Sequence, residues 1–205
     1  MNETGSVKFK CEQVPAEIPR FAGFDQLNEY RRKLVDLGMI GLDANGISFG
    51  NISVHGDAPS QFYVTGSGTG GLAELSPADC ARVIAYDFAK NWLKCEGRTV
   101  ASSESLTHAA VYESDAAARA VIHCHNMKVW LALVDKAPTT PKEVAYGTPE
   151  MAEAVRKLFG NTDVKTRRIF VMAGHDGGVV TFGKDLQEAF GILSAEMLKA
   201  ETPKR

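Results

Sequence analysis

The chain has few cysteines, no long apolar run and no excess of charge of either sign. Cys11, Cys80, Cys95 and Cys124 are its four thiols in 205 residues. None sits at Cys-x-x-Cys spacing, and their density is far below that of a disulfide framework, so they read as reduced thiols of a cytoplasmic protein. No uninterrupted apolar stretch approaches the ~20 residues needed to cross a bilayer. The stretch from Met1 to Cys11 is polar and carries both charge signs. It has no apolar core behind basic residues, so a secretory signal is not expected there. A formal net charge of −2, with 23% charged and 44% hydrophobic residues, gives no electrostatic reason to expect nucleic acid or an anionic membrane as partner. An anionic small molecule would have to be held by local groups. Internal repeats, low-complexity tracts and linkers are also missing. The expected organisation is therefore one domain over 23–205, preceded by a loose leader over 1–22 in which Pro15 and Pro19 oppose a long helix.

What is present is an interleaving of helices and short strands. Leu27, Leu34, Val35 and Met39 recur at helical intervals and predict a helix from Phe24 to Met39, with Gly41 as terminator. Ile52–Val54 and Phe62–Val64 read as strands. Ser76-Pro77-Ala78-Asp79 carries cap, proline and acid in the order of a helix start, which predicts a helix burying Val83, Ile84 and Phe88. A strand at Trp92-Leu93, a helix from Glu104 to Tyr112, a strand over 119–125 and a helix from Asn126 to Val134 are expected next. Thr148-Pro149-Glu150 repeats the cap signature before a helix to Phe159. Strands at 168–172 and 179–182 and a helix from Lys184 to Lys199 complete the chain. Strands that follow one another directly favour a mixed, mainly antiparallel sheet with helices on both sides, a three-layer α/β fold.

His123-Cys124-His125 is the most informative motif. It closes the strand-like run Arg119–Ile122, so both imidazoles share one face while Cys124 points away. Two neutral imidazoles on one face make two corners of a metal site. His175, in a Gly-rich turn after the strand at 168–172, is either a third ligand or a solvated loop residue. Ser102-Ser103-Glu104 reads equally as a helix cap or as an anion site beside a proton-transferring carboxylate. Thr65–Gly71 is the densest Gly/Ser/Thr run. It can present N–H groups and hydroxyls to a phosphate, yet it lacks a P-loop lysine. Gly50-Asn51 is equally at home in an ordinary turn. His108, four residues after Glu104, is expected to pack or hydrogen-bond, and His55 has no evident partner.

Taken in chain order, Gly50-Asn51-Ile52-Ser53, Thr65–Gly68, Ser102-Ser103-Glu104, His123-Cys124-His125 and His175 resemble the class II aldolase/adducin family, and most closely its fuculose-phosphate aldolase type. The resemblance spans Phe24 to Lys199 and includes the tail Phe182–Phe190. It implies a mainly antiparallel sheet between helix layers and a four-fold homotetramer with active sites at subunit clefts. It also implies a divalent metal, zinc or another such as Mn2+, held by His123, His125 and His175. Glu104 matches the acid/base carboxylate, which can also ligate the metal. Asn51, Ser67, Gly68, Ser102 and Ser103 match positions that bind substrate phosphate. The implied activity is aldol cleavage of a small sugar phosphate or hydroxy-carbonyl compound through a metal-stabilised enediolate, in carbohydrate metabolism. Dehydration, epimerisation and decarboxylation share that scaffold. A non-catalytic adducin-like interaction domain is disfavoured, because such domains lack the metal histidines. The chain departs from the family at four places. Gly174-His175-Asp176-Gly177-Gly178 replaces the usual turn and puts His175 two residues early, so a longer turn must carry it. The stretch from His125 to Thr148 is short, leaving only Tyr146 near the place of an assisting tyrosine. The chain ends soon after its last helix, and His55 stands where an arginine is common.

Overall fold

The computed structural model describes residues 8–201. Eleven strands and six helices follow in order: β1 (Lys10–Val14), α1 (Phe24–Asp36), β2 (Gly41–Leu42), β3 (Ser48–Phe49), β4 (Asn51–His55), β5 (Phe62–Thr65), β6 (Cys80–Asp87), β7 (Trp92–Glu96), α2 (Ser105–Ser114), β8 (Ala120–His125), α3 (Met127–Leu133), β9 (Thr139–Thr140), α4 (Pro149–Asn161), α5 (Val164–Arg167), β10 (Ile169–Met172), β11 (Gly178–Gly183) and α6 (Leu186–Glu201). Nine strands form one sheet in the order β1-β7-β6-β5-β4-β8-β11-β10-β9, and β2 pairs with β3 in a separate ribbon. The outer pairs β1·β7 and β9·β10 are parallel and the inner ladders are antiparallel. This is the expected mixed sheet, with helices packed on both faces. No helix among the described residues is long and apolar enough to cross a membrane.

Strand alternation separates two cores. In β8, Val121 joins the cluster built with α2 and α4, whereas Ala120, Ile122 and Cys124 join the cluster built with α1, α3 and α6. His123 and His125 continue the odd-numbered side, so both project towards the α2 layer. Ser53, opposite Val121 across the β4·β8 ladder, lies on that side too. Its hydroxyl, fully buried, bonds His108 Nδ1 at 2.7 Å and the Tyr112 hydroxyl at 2.7 Å, tying α2 to the sheet.

Four local readings are corrected. The helix expected after Ser76 is one 3₁₀ turn (Pro77–Asp79). The Ser76/Asp79 capping box is present, but the chain then enters β6. Two flanking ladders, with β5 and β7, outweigh the local start signal, and Val83 is buried as a strand residue. The leader contains β1, which extends the sheet beside β7, with Phe9 buried before it; residues 1–7 of that leader lie outside the described residues. Helix α1 stops before Gly38, not at Gly41. Gly38 takes a left-handed φ of 65°, its N–H bonds Val35 O at 2.9 Å, and Met39 N–H bonds Leu34 O at 2.8 Å, a Schellman stop. Finally, no side chain caps α2; the Ser102 carbonyl accepts from Ser105 N–H at 3.0 Å instead.

The Ser53 junction gives a first test. Ser53→Ala strands two buried polar partners and should cost about 2–3 kcal/mol of unfolding free energy, read by urea denaturation. A loss within the ordinary ~0.5 kcal/mol scatter of surface changes would show that the junction does not hold α2.

Candidate metal centre and its cavity

Three imidazoles meet at the end of the sheet. The ligand-capable nitrogens of His123, His125 and His175 all lie within 4.8 Å of one another. Their ring centroids are 5.0 Å (His123–His125), 4.4 Å (His125–His175) and 5.4 Å (His123–His175) apart. The first two come from strand alternation in β8. The third comes from register: Gly178 opposes His125 across β8·β11, so the turn before β11 lies directly over the pair. Within that turn Gly178 N–H bonds His175 O at 2.8 Å, and Asn126 N–H bonds Gly177 O at 2.9 Å. Glycines make the turn possible. A Cβ at Gly178 would sit 2.9 Å from His175 Cδ2, and one at Gly174 would sit 2.1 Å from Val144 O.

Asn51 pairs with His123 across β4·β8, and its amide lies 3.4 Å from His123 Nδ1. Asn51 Oδ1 and His123 Nε2 are both buried without a partner. Turning the amide over lets Oδ1 accept from Nδ1–H, which leaves the Nε2 lone pair facing the cluster. That is how second groups orient a metal-ligating histidine. An unpaired buried ring nitrogen beside two further imidazoles is what a divalent cation would satisfy, so the residues fit the metal that the resemblance implies.

The cluster opens into a cavity of about 720 Å³, whose wall includes Asn51, Ser67, Gly68, Ser102, Ser103 and Glu104. All the expected site residues are thus brought to one place. Glu104 stands outside the three-imidazole group, although it was expected as a ligand as well as an acid/base. It is 1% exposed; Thr107 Oγ1 donates to Oε2 at 2.7 Å, and Oε1 is buried without a partner. Burial raises its pKa to about 7, against the lowering effects of the Thr107 bond and the charge of Lys8. Burial lowers the histidines: His125 to about 4, His175 and His108 to about 3, and His123 well below its ordinary value. All are neutral, as ligation requires.

The glycine loop is held from behind. Arg31, 1% exposed, donates through Nη2 to Thr69 O at 2.7 Å and Gly70 O at 3.3 Å, while Gly70 N–H bonds Ser48 Oγ at 3.1 Å. A side chain at Gly70 would strike Gly41 O at 2.1 Å. Arg31 escaped the sequence reading, but its position between Leu27 and Leu34 on the apolar stripe of α1 was a signal. Tyr146 lines the cavity with its ring centroid 4.2 Å from that of His175. His108 packs and hydrogen-bonds as expected, and His55 lies against the carbonyls of Gly56 and Pro59 at 2.6 and 3.1 Å.

The sequence model of the class II aldolase and adducin N-terminal domain matches residues 27–198. The chain belongs to the class II aldolase and adducin family. Solved structures share its fold. An L-fuculose 1-phosphate aldolase superposes with TM-score 0.66 at 21% identity, covering 90% of this chain and 85% of that one. YgbL of Klebsiella pneumoniae, provisionally described as an aldolase/epimerase/decarboxylase, gives 0.65 at 19% identity, covering 86% of each. A sugar-phosphate aldolase from Thermotoga maritima gives 0.63 at 17% identity, covering 87% and 91%. No curated protein matches the chain in sequence.

Within this family fold the buried titratable groups set the pH response of metal-free protein. Four histidines with lowered pKa bind fewer protons folded than unfolded, so their effect is harmless above about 6.5 and destabilises as pH falls towards 4 and 3. Glu104 acts oppositely. Its raised pKa favours the folded state below 4.5, and that advantage is lost as pH rises through about 7. Urea titrations with chelator present should show stability falling steadily below pH 6.5, four groups against one. Glu104→Gln should be the more stable protein at pH 8, by on the order of 2 kcal/mol. A flat profile with an unaltered variant would contradict this.

Proposed function

We propose that this protein is a metal-dependent lyase that cleaves a small phosphorylated sugar or hydroxy-carbonyl compound by retro-aldol chemistry. The observation that carries the reading is the convergence of three neutral imidazoles, a buried carboxyl poised near neutrality and a hydroxyl- and glycine-lined wall in one cavity. His123, His125 and His175 would hold a divalent cation, zinc or manganese, with Glu104 beside it as the acid/base. When bound, such a cation supplies Lewis acidity that polarises a substrate carbonyl and its adjacent hydroxyl.

This chain's own groups do the rest. In cleavage Glu104 takes the proton of the hydroxyl whose neighbouring C–C bond breaks and delivers it to the carbon released by that bond; in condensation it removes that C–H proton and gives it to the new alkoxide. Its carboxyl suits that work because burial holds it near half-protonation at neutral pH, while Thr107 fixes the oxygen that does not react. Asn51, Ser67, Gly68, Ser102 and Ser103 bind the substrate phosphate through neutral donors, with Arg31 holding the loop behind them. The exposed apolar side chains Leu42, Leu72 and Met127 at the cavity's rim suit coverage by neighbouring subunits of a tetramer. Dehydration, epimerisation or decarboxylation would draw on the same groups, in keeping with the similarity to YgbL.

The decisive experiment is metal analysis of purified protein, followed by incubation with dihydroxyacetone phosphate and a panel of aldehydes. Bound divalent metal and aldol products are expected. Metal without aldol product moves the reading to the sister reactions, and protein that holds no metal overturns it. Glu104→Gln should keep the metal and lose turnover by roughly 100-fold or more; full activity would remove Glu104 from its role. Gly178→Ala, which pushes a methyl group against the His175 ring, should weaken metal binding by roughly tenfold or more in chelator competition. Unchanged affinity would mean that His175 is not a ligand.

A further inference from the structure

Two of the four thiols touch. Cys11 Sγ lies 3.5 Å from Cys95 Sγ, with either sulfur able to donate its hydrogen to the other. The contact follows from register. In the parallel pair β1·β7, Cys11 stands opposite Leu93 and Gln13 opposite Cys95, so the two cysteines are diagonal neighbours. Both face the core built with α2 and α4, where Cys95 is fully buried and Cys11, on the sheet's edge, is half-buried. On the outer face of the same strands, Lys94 Nζ pairs with Glu12 Oε1 at 2.6 Å. Cys80 and Cys124 lie in the other core, fully buried, and burial pushes both thiols up to about 12.

Contact between the sulfurs changes their acidity in a way that burial alone does not. A hydrogen bond from Cys11 favours the Cys95 thiolate and lowers its pKa to about 7, against the opposing effect of burial. The Ala101 backbone N–H supports the same charge. Cys11 is raised in turn, chiefly through its bond to Cys95. The pair therefore gives up one proton near neutrality and keeps the other between the two sulfurs. Passing that proton across the contact puts the thiolate on Cys11, the residue of the two that solvent reaches.

We propose that Cys11 and Cys95 form a reversible oxidation site, a dithiol that hydrogen peroxide converts to a disulfide fastening β1 to β7. The Cys11 thiolate attacks one peroxide oxygen, and the O–O bond breaks. The departing oxygen takes up a proton and leaves as water, while Cys11 becomes a sulfenic acid. Cys95 then loses its proton and attacks the Cys11 sulfur; the S–O bond breaks, and the hydroxide leaves with a proton as a second water. Two thiols lose two electrons and one peroxide gains them. Closing the sulfurs from 3.5 Å to the ~2.05 Å of a disulfide needs some movement of the strand. Among the described residues β1 has a sheet neighbour on one side alone, so it can move without breaking a second ladder.

The test treats full-length protein with a few equivalents of hydrogen peroxide. Free thiols should fall from four to two, the intact mass should drop by two hydrogens, and digestion should release Cys11 and Cys95 on one cross-linked peptide. The thermal midpoint should rise by about 5 °C or more, because the bridge closes a long loop, and dithiothreitol should return it. Cys11→Ser, at the half-buried position, should keep its three thiols and show no thermal gain. Cys95→Ala should form no bridge and should instead carry a dimedone-reactive sulfenic acid on Cys11; no label there would overturn Cys11 as the attacking sulfur. Four thiols retained in wild type would overturn the proposal. So would oxygen added to Cys11 without a bridge, a bridge to a second chain, or a bridge that leaves the thermal midpoint unchanged. None of these readouts involves metal or turnover, so their failure leaves the lyase reading untouched.

Discussion

Everything in the site depends on keeping three imidazoles neutral and close together in a buried place. Desolvation makes protonation of His123, His125 or His175 costly, and each imidazolium would repel the next. Neutrality alone does not complete them, since His123 Nε2 remains a buried nitrogen without a partner. Such a nitrogen costs free energy unless it finds a donor or a cation. The same burial that strips protons from the histidines pushes a proton onto Glu104. One environment thus prepares bases to ligate and an acid to exchange its proton, with burial the leading cause in each.

Holding that arrangement requires backbone segments closer than side chains normally allow, and the glycines mark where. Gly174 lies against the Val144 carbonyl, Gly178 against the His175 ring, and Gly70 against the Gly41 carbonyl. The first and last join a loop to another segment and the second closes the turn that carries His175, so a methyl group at any of them would move a wall. Arg31 does related work in the opposite sense, filling the space behind the loop and satisfying the carbonyls that the tight path leaves over. Ser53 completes the frame by linking β4 to the helix that begins beside Glu104.

Much of this was legible in the residues because the signals were local. Alternation alone puts His123 and His125 on one face, and the Thr148-Pro149-Glu150 cap marks a helix start that the structure keeps. What could not be read was set by partners distant in sequence. Ser76-Pro77-Ala78-Asp79 has every feature of a helix start, yet residues 80–87 are claimed by ladders on both sides. Nothing near Lys10–Val14 announces a strand, because its partner β7 lies some eighty positions on. The convergence of His175 with the β8 pair needed the β8·β11 register, which a count along the sequence does not reveal. Glu104 was recognised as a carboxylate of the site, but its distance from the imidazole group is a three-dimensional fact.

The distribution of charge then argues for a division of labour within the cavity. Its floor presents neutral imidazoles, hydroxyls, an amide and glycine N–H groups beside Glu104, a set suited to an anion through dipoles and not through a strong net field. A floor of that kind accepts related substrates with similar affinity, since dipoles tolerate small changes in placement. Discrimination falls to the rim, where Tyr146 and the exposed apolar Leu42, Leu72 and Met127 stand. These residues sit on the 41–49 ribbon, the start of α3 and the loops, not on the central strands that fix the histidines. A sheet of this kind can keep its central residues fixed while the rim varies, which is how one fold comes to host several functions.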